Sequence, residues 1–292
     1  MLFSNIFYTL NWTLPDKNLY VYNAVTPIYS SAACGDLKGD GKIAVVIGLG
    51  NKLYPGESEV ANGGVIALEG TTGAVRWRFN TLDDEFETRS GLTDVVYATP
   101  MLGDLDGDGK LEVFFNGWDR RFYALDADGK MLWQYAPLDA GWPSAAIADL
   151  DNDGFPEIIV GNGIVANAQV GTPNGGYLYV FNKEGTVRWR VYQDQTIYSS
   201  AAIGDINGDG YLDIVVGTGD YFAGMGKKIY AYDRNGNLLP GWPINLTSYV
   251  FSSPALADLN GDNIPEVIAG SADGKLYAWR GNGTQLWSSS PK

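Results

Sequence analysis

DLDGDGKLE, residues 104–112, sets a carboxylate at every second position, Asp104, Asp106 and Asp108, and closes on Glu112. Alternating acids around a Gly-Asp-Gly centre bring hard oxygen donors together in one turn, and calcium takes six to eight such oxygens at about 2.3–2.6 Å. The stretch has four companions: DLKGDGKIA from Asp36, DLDNDGFPE from Asp149, DINGDGYLD from Asp205 and DLNGDNIPE from Asp258. Successive starts lie 68, 45, 56 and 53 residues apart. Recurrence at roughly 40–50 residues is the period of propeller blades.

Each repeat reads as four strands. Strand A precedes the acidic loop (199–206), strand B follows it (213–217), strand C alternates aromatic residues (228–232), and strand D often holds a Trp (186–191). The C–D turns DADGK, NKEGT, DRNGN and RGNGT are hairpin turns with Gly. An aromatic lies seven residues before each loop: Tyr29, Tyr97, Trp142, Tyr198 and Phe251. Two residues further on stands a hydroxyl, Ser31, Thr99, Ser144, Ser200 or Ser253, then mostly alanines. Small side chains there suit strands crowded around an axis. No stretch shows helical periodicity beyond a turn.

The expectation is an all-β chain: a β-propeller of four-stranded antiparallel blades, five complete plus an N-terminal half blade, forming one domain over 1–292. The blades are placed at 28–95, 96–140, 141–196, 197–249 and 250–292. Residues 1–27 read as a C–D hairpin lacking its A–B half.

The repeated loops resemble the FG-GAP (VCBS, integrin alpha-like) calcium repeats of seven-bladed propellers. The C–D hairpins, such as RRFYALDADGKMLW and GYLYVFNKEGTVRW, resemble quinoprotein-type repeats that end in a docking Trp. The resemblance covers about residues 22–292, and five blades and a half depart from the usual seven.

In such a loop, positions 1, 3 and 5 offer side-chain oxygens, position 7 a backbone carbonyl and position 9 a carboxylate, with Gly at position 6 for the turn. The ligand sets are then Asp104, Asp106, Asp108, the Lys110 carbonyl and Glu112; Asp149, Asp151, Asp153, the Phe155 carbonyl and Glu157; Asp205, Asn207, Asp209, the Tyr211 carbonyl and Asp213; and Asp258, Asn260, Asp262, the Ile264 carbonyl and Glu266. An EF-hand needs its acid at position 12 between helices, and magnesium retains water rather than entering a carboxylate cage. About four structural calcium ions are expected. None is expected in the first loop, where Lys38 and Ala44 replace acids; there the Lys38 ammonium is expected to pair with Asp36 and Asp40.

Composition narrows the function. Of 292 residues none is His and one is Cys, Cys34, which removes His-based triads, makes a catalytic zinc site improbable and leaves no internal disulfide. A net charge of −14 argues against nucleic acid, and the four intact loops hold 14 of the carboxylates. No apolar run is long enough to span a membrane. No secretory signal is read in this chain, and an extracellular or cell-surface location follows from the calcium loops alone.

Insertions at 50–62, 81–93, 163–175, 218–226 and 239–248 fall on the face opposite the calcium loops. Long loops on a rigid scaffold commonly carry function. Contacts for a protein or glycan partner are expected from Tyr54, Phe86, Trp118, Asp119, Arg120, Trp142, Tyr221 and Phe222. The leading reading is a non-catalytic adhesion or recognition module. The alternatives are a secreted lyase-like or quinoprotein-like enzyme, and a surface-layer or filament subunit that self-assembles through an open strand edge.

Overall fold

A computed structural model describes residues 28–50, 63–81, 95–137, 141–163, 175–219 and 226–290. Residues 1–27, expected as the half blade, lie outside the described residues, as do Tyr54, Phe86, Tyr221 and Phe222. The described residues form twenty strands and no helix, in five four-stranded antiparallel sheets whose strands follow chain order. Among them, no helix is long and apolar enough to cross a membrane.

The chain divides into two compact units, residues 1–104 with 108–134, and residues 105–107 with 135–292. In the first, β1 (Ala33–Gly35), β2 (Ala44–Leu49), β3 (Gly64–Glu69) and β4 (Val75–Asn80) make one sheet. β5 (Met101–Gly103), β6 (Glu112–Asn116), β7 (Phe122–Leu125) and β8 (Met131–Tyr135) make the next. The second unit holds three sheets. They are β9 (Ala146–Ala148), β10 (Glu157–Gly161), β11 (Gly176–Phe181) and β12 (Val187–Gln193); β13 (Ala202–Gly204), β14 (Asp213–Gly217), β15 (Lys228–Tyr232) and β16 (Ile244–Asn245); and β17 (Ala255–Ala257), β18 (Glu266–Ser271), β19 (Lys275–Trp279) and β20 (Gln285–Ser289).

The second strand of each sheet is a run of Val, Ile and Phe, and β6, β10 and β14 are buried at every residue. Such runs suit strands covered on both faces, as happens when sheets stack. In the first unit Val46, Val65 and Ala67 share a core with Val113, Phe115, Tyr123 and Leu125. In the second, Ile159, Leu178 and Val180 pack with Ile214, Val216 and Tyr230, and on the other side of that middle sheet Val215, Ile229 and Ala231 meet Val267, Tyr277 and Trp279. Each Val, Leu, Ile or Phe among them contributes about 1.5–3 kcal/mol by leaving water.

Three tryptophans link neighbouring sheets. Trp77 Nε1–H donates to the Ala127 carbonyl (3.0 Å), Trp189 to Arg234 (2.9 Å) and Trp242 to Gly281 (2.7 Å), each carbonyl lying in the C–D turn of the following sheet. Glycine is required where the indole arrives. A Cβ on Gly129, at φ 76°, would stand 2.5 Å from the Trp77 ring. Trp242 corrects one reading: residues 239–248 are not an insertion, for they hold the docking Trp and the short fourth strand β16. The Leu-Leu-Pro-Gly spacer before Trp242 obscures its place in the repeat.

The strand-A hydroxyls do more than fill space. Ser31 N–H donates to Thr99 Oγ1 (3.1 Å), Ser144 N–H to Ser200 Oγ (3.1 Å) and Ser200 N–H to Ser253 Oγ (3.0 Å), each bond crossing to the next innermost strand. The preceding serines serve their own sheets. Ser199 Oγ donates to the Gly217 carbonyl (2.9 Å) and accepts from its N–H (2.8 Å), and Ser30 and Ser252 bond Gly48 and Gly270 likewise. These serines bond through side chains, so strand A shrinks from the expected 199–206 to Ala202–Gly204. β14 and β15 coincide with the expected 213–217 and 228–232.

Candidate calcium loops

All five acidic loops adopt one backbone scaffold, built around the first aspartate. Its Oδ2 accepts the N–H of position 6: Gly41 to Asp36 (2.6 Å), Gly109 to Asp104 (2.9 Å), Gly154 to Asp149 (2.9 Å), Gly210 to Asp205 (2.8 Å) and Asn263 to Asp258 (2.9 Å). Position 7 N–H then donates to the position-5 carboxylate at 2.8–3.0 Å in every copy. Positive φ recurs at positions 4 and 6, where Asn152 (61°) and Asn263 (67°) stand in for glycine. Asparagine tolerates this left-handed region better than other side chains. The scaffold N–H bonds hold Asp36 and Asp258 below the usual carboxylate range, led by Gly41 and Asn263.

Position 9 opens the second strand of its sheet and is buried: Glu112, Glu157, Asp213 and Glu266. One oxygen of Glu157, Asp213 and Glu266 accepts the position-2 N–H of Leu150 (2.9 Å), Ile206 (3.1 Å) and Leu259 (2.8 Å). The other faces the loop. Burial pushes Glu157 up, against the pull of the Leu150 N–H and Arg188. Burial, with Asp209 and Asp205 adding repulsion, pushes Asp213 up to about 7.

The donor set fits a hard divalent cation. Asp104, Asp106 and Asp108 in one loop, and Asp149, Asp151 and Glu157 in another, each bring one carboxylate oxygen within 4.8 Å of the others. All offered atoms are oxygen, and a buried acid whose charge burial opposes gains a partner from a cation. Asn207 and Asn260 turn their amide NH2 to the position-9 acids Asp213 (3.3 Å) and Glu266 (2.6 Å). Their Oδ1 atoms accept the position-5 N–H of Asp209 (2.8 Å) and Asp262 (2.9 Å).

The first loop departs from expectation. Lys38 Nζ does not reach Asp36 and Asp40; it pairs with Asp128 of the next C–D turn at 2.5 Å. The cation at this loop is Arg76, from β4. Its Nη2 donates to the carbonyls of Lys42 (3.1 Å) and Ile43 (3.3 Å), and its Nε to Glu69 (3.0 Å). Lys42 is the position-7 carbonyl.

In the third loop, Arg188 of β12 bridges Asp151 and Glu157, both at 2.7 Å. Sequence spacing did not single out either arginine, although each immediately precedes a docking Trp.

At the other end of the innermost strands aromatic rings pack at tilted or edge-on angles, between neighbouring sheets or, for Tyr97 and Trp118, within one. Trp142 meets Tyr198 (5.5 Å between centroids) and Tyr198 meets Phe251 (5.3 Å) in the second unit; Tyr29 meets Tyr97 (4.9 Å) and Tyr97 meets Trp118 (5.0 Å) in the first. Tyr29 and Phe251 are 57% and 43% exposed. Asp119 is buried beneath this end, and its carboxylate accepts the Tyr123 hydroxyl. Arg120 sits at φ 61° beside it.

Comparison with known proteins agrees with this geometry. Residues 104–160 match the model of an FG-GAP-like repeat, and residues 141–181 and 198–232 match the FG-GAP repeat. Human (Homo sapiens) integrin alpha-7 is 29% identical over 142 residues, 44% of this chain and 12% of that protein. The chain thus spans a small part of the curated relatives it matches. Among solved structures, BamB from Moraxella catarrhalis aligns with TM-score 0.57 at 19% identity, covering 92% of this chain and 63% of that one. A quinohemoprotein alcohol dehydrogenase, ADHIIG from Pseudomonas putida HK5, aligns with TM-score 0.61 at 15% identity, covering 91% and 42%. The chain carries integrin-like FG-GAP repeats on a β-propeller fold.

Proposed function

We propose that this chain is a non-catalytic recognition module whose four complete acidic loops hold calcium, and that it works outside the cell or at its surface. The recurrence of one ligand scaffold, with a buried acid at position 9 in four copies, carries this reading. Calcium would supply charge neutralisation and turn fixation; the chain itself supplies the oxygens and the strands that aim them. Each ligand set comes from one continuous loop, which leaves little room for a substrate. The dehydrogenase among the structural neighbours shares only the fold, and this chain has no histidine for acid–base work. The integrin likeness favours a protein partner.

Partner contacts are assigned, unit by unit, to the aromatic face at this end of the innermost strands: Trp118 is the candidate anchor in the first unit and Trp142 in the second. Aromatic residues are the usual anchors of recognition surfaces. Two measurements test the reading. Elemental analysis of the calcium-saturated chain should give about four bound ions per molecule, as Ca2+ sites of this type imply. Replacing Trp118 and Trp142 by alanine should abolish capture of an identified partner while leaving the calcium count unchanged. A chain with no bound calcium after saturation refutes the metal part, and undiminished capture refutes the face.

A further inference from the structure

We propose that Arg188 is a built-in counter-cation of the third loop, and that it lowers the calcium affinity of that loop below what its four carboxylates would confer. This rests on the calcium reading above and adds a regulator to it. The observation is the bridge that Arg188 makes between two carboxylates of the third loop, Asp151 and Glu157. The fourth and fifth carry three carboxylates and one asparagine at the ligand positions. The second and third carry four carboxylates, and in each the surplus charge has a basic partner: Lys110 Nζ at 2.6 Å from Asp108, and the Arg188 guanidinium at 2.7 Å from both Asp151 and Glu157.

The two cations differ in how they are placed. Lys110 is half exposed on its own loop. Arg188 comes from β12, is partly buried and engages two candidate ligand carboxylates at once, with a planar fork suited to that geometry. A divalent ion needs those same carboxylates, so it meets a positive charge held beside its site.

Blade 1 supplies the limiting case. Arg76 occupies the same place, immediately before the docking Trp. Where the loop has lost its acids at positions 3 and 9, this arginine reaches the position-7 carbonyl itself. The equivalent residues in the other sheets are Leu132, Gly241 and Leu286, which carry no charge. An arginine at this position is thus a resident cation for the loop of its own sheet: it stands at the carbonyl of a degenerate loop and competes in an intact one.

The test uses the full chain stripped with a chelator, with Phe155→Trp as a reporter that sensitises terbium luminescence in the third loop. Terbium is displaced by calcium to read affinity, and the chain without the reporter gives the background. Arg188→Met should bind calcium at this loop roughly tenfold tighter or more, because one nearby positive charge is removed. Asp151→Asn should bind more weakly, and the double variant should return near the parent value. Circular dichroism checks that each variant folds, and Arg188→Gln provides an independent arm should Arg188→Met not fold. Unchanged or weaker binding in whichever arginine variant folds overturns the proposal while leaving the calcium loops standing. A parent chain that takes up neither terbium nor calcium overturns the calcium reading itself, and this inference with it.

Discussion

Asp213→Asn isolates the energetic role of a buried candidate ligand. Asp213 is 1% exposed, its Oδ2 accepts the Ile206 N–H at 3.1 Å, and burial raises its pKa to about 7 from 3.8. At about 1.4 kcal/mol per pKa unit, the ionised carboxylate costs the metal-free protein roughly 4 kcal/mol well above neutrality. The sign follows from proton counts. Between the unfolded value near 4 and about 7, the folded state holds the extra proton, so metal-free stability falls as pH rises through that window and levels off above it. Calcium reverses the trend, since it takes the ionised form and competes with the proton.

Asparagine keeps the acceptor for Ile206 and removes the charge. In chelator the variant should therefore melt higher than the parent at about pH 8, by roughly 1–3 kcal/mol after allowing for an imperfectly paired amide, and match it near pH 5. In saturating calcium the order should invert, because one ligand oxygen set has lost its charge. Urea unfolding followed by circular dichroism at the two pH values, with and without calcium, gives the four comparisons. A variant less stable than the parent by the same amount in chelator at both pH values would refute the argument, for it would mean that Asp213 acts through packing and not through charge.

Other expectations use different parts of the fold. Ser199→Ala removes both bonds to Gly217 within the core and should cost about 1–3 kcal/mol in urea unfolding, with calcium stoichiometry unchanged. Gly129→Ala forces a Cβ against the Trp77 ring at φ 76°, so it should destabilise by about 1–3 kcal/mol and shift tryptophan fluorescence. Lys38→Ala breaks only the exposed pair with Asp128 and should change stability by less than about 1 kcal/mol; titration calorimetry should show no added calcium site.

The fifth sheet is less covered than the others. Position-2 residues Leu37, Leu150 and Ile206 are fully covered, whereas Leu259 in the fifth loop is 45% exposed. Trp287 occupies the docking position and is 39% exposed, in contrast to Trp242, which is buried against Gly281.

The acidic loops, their spacing and their turn residues were legible because an oxygen-lined turn and left-handed backbone both demand particular residue types at fixed local offsets. The alternation around each loop likewise marks the strand that follows it, and β14 and β15 begin and end where the pattern placed them. What the sequence could not decide depends on side chains far apart in the chain. Lys38 reaches Asp128, ninety residues away, instead of its own loop. Arg188 enters the third loop from an outer strand, and the serine hydroxyls join separate sheets. Local spacing dictates which atoms can form a cage within one turn; strand pairing within a sheet and packing between sheets decide which distant charge arrives beside it, because Coulomb energy depends on separation in space and not along the chain.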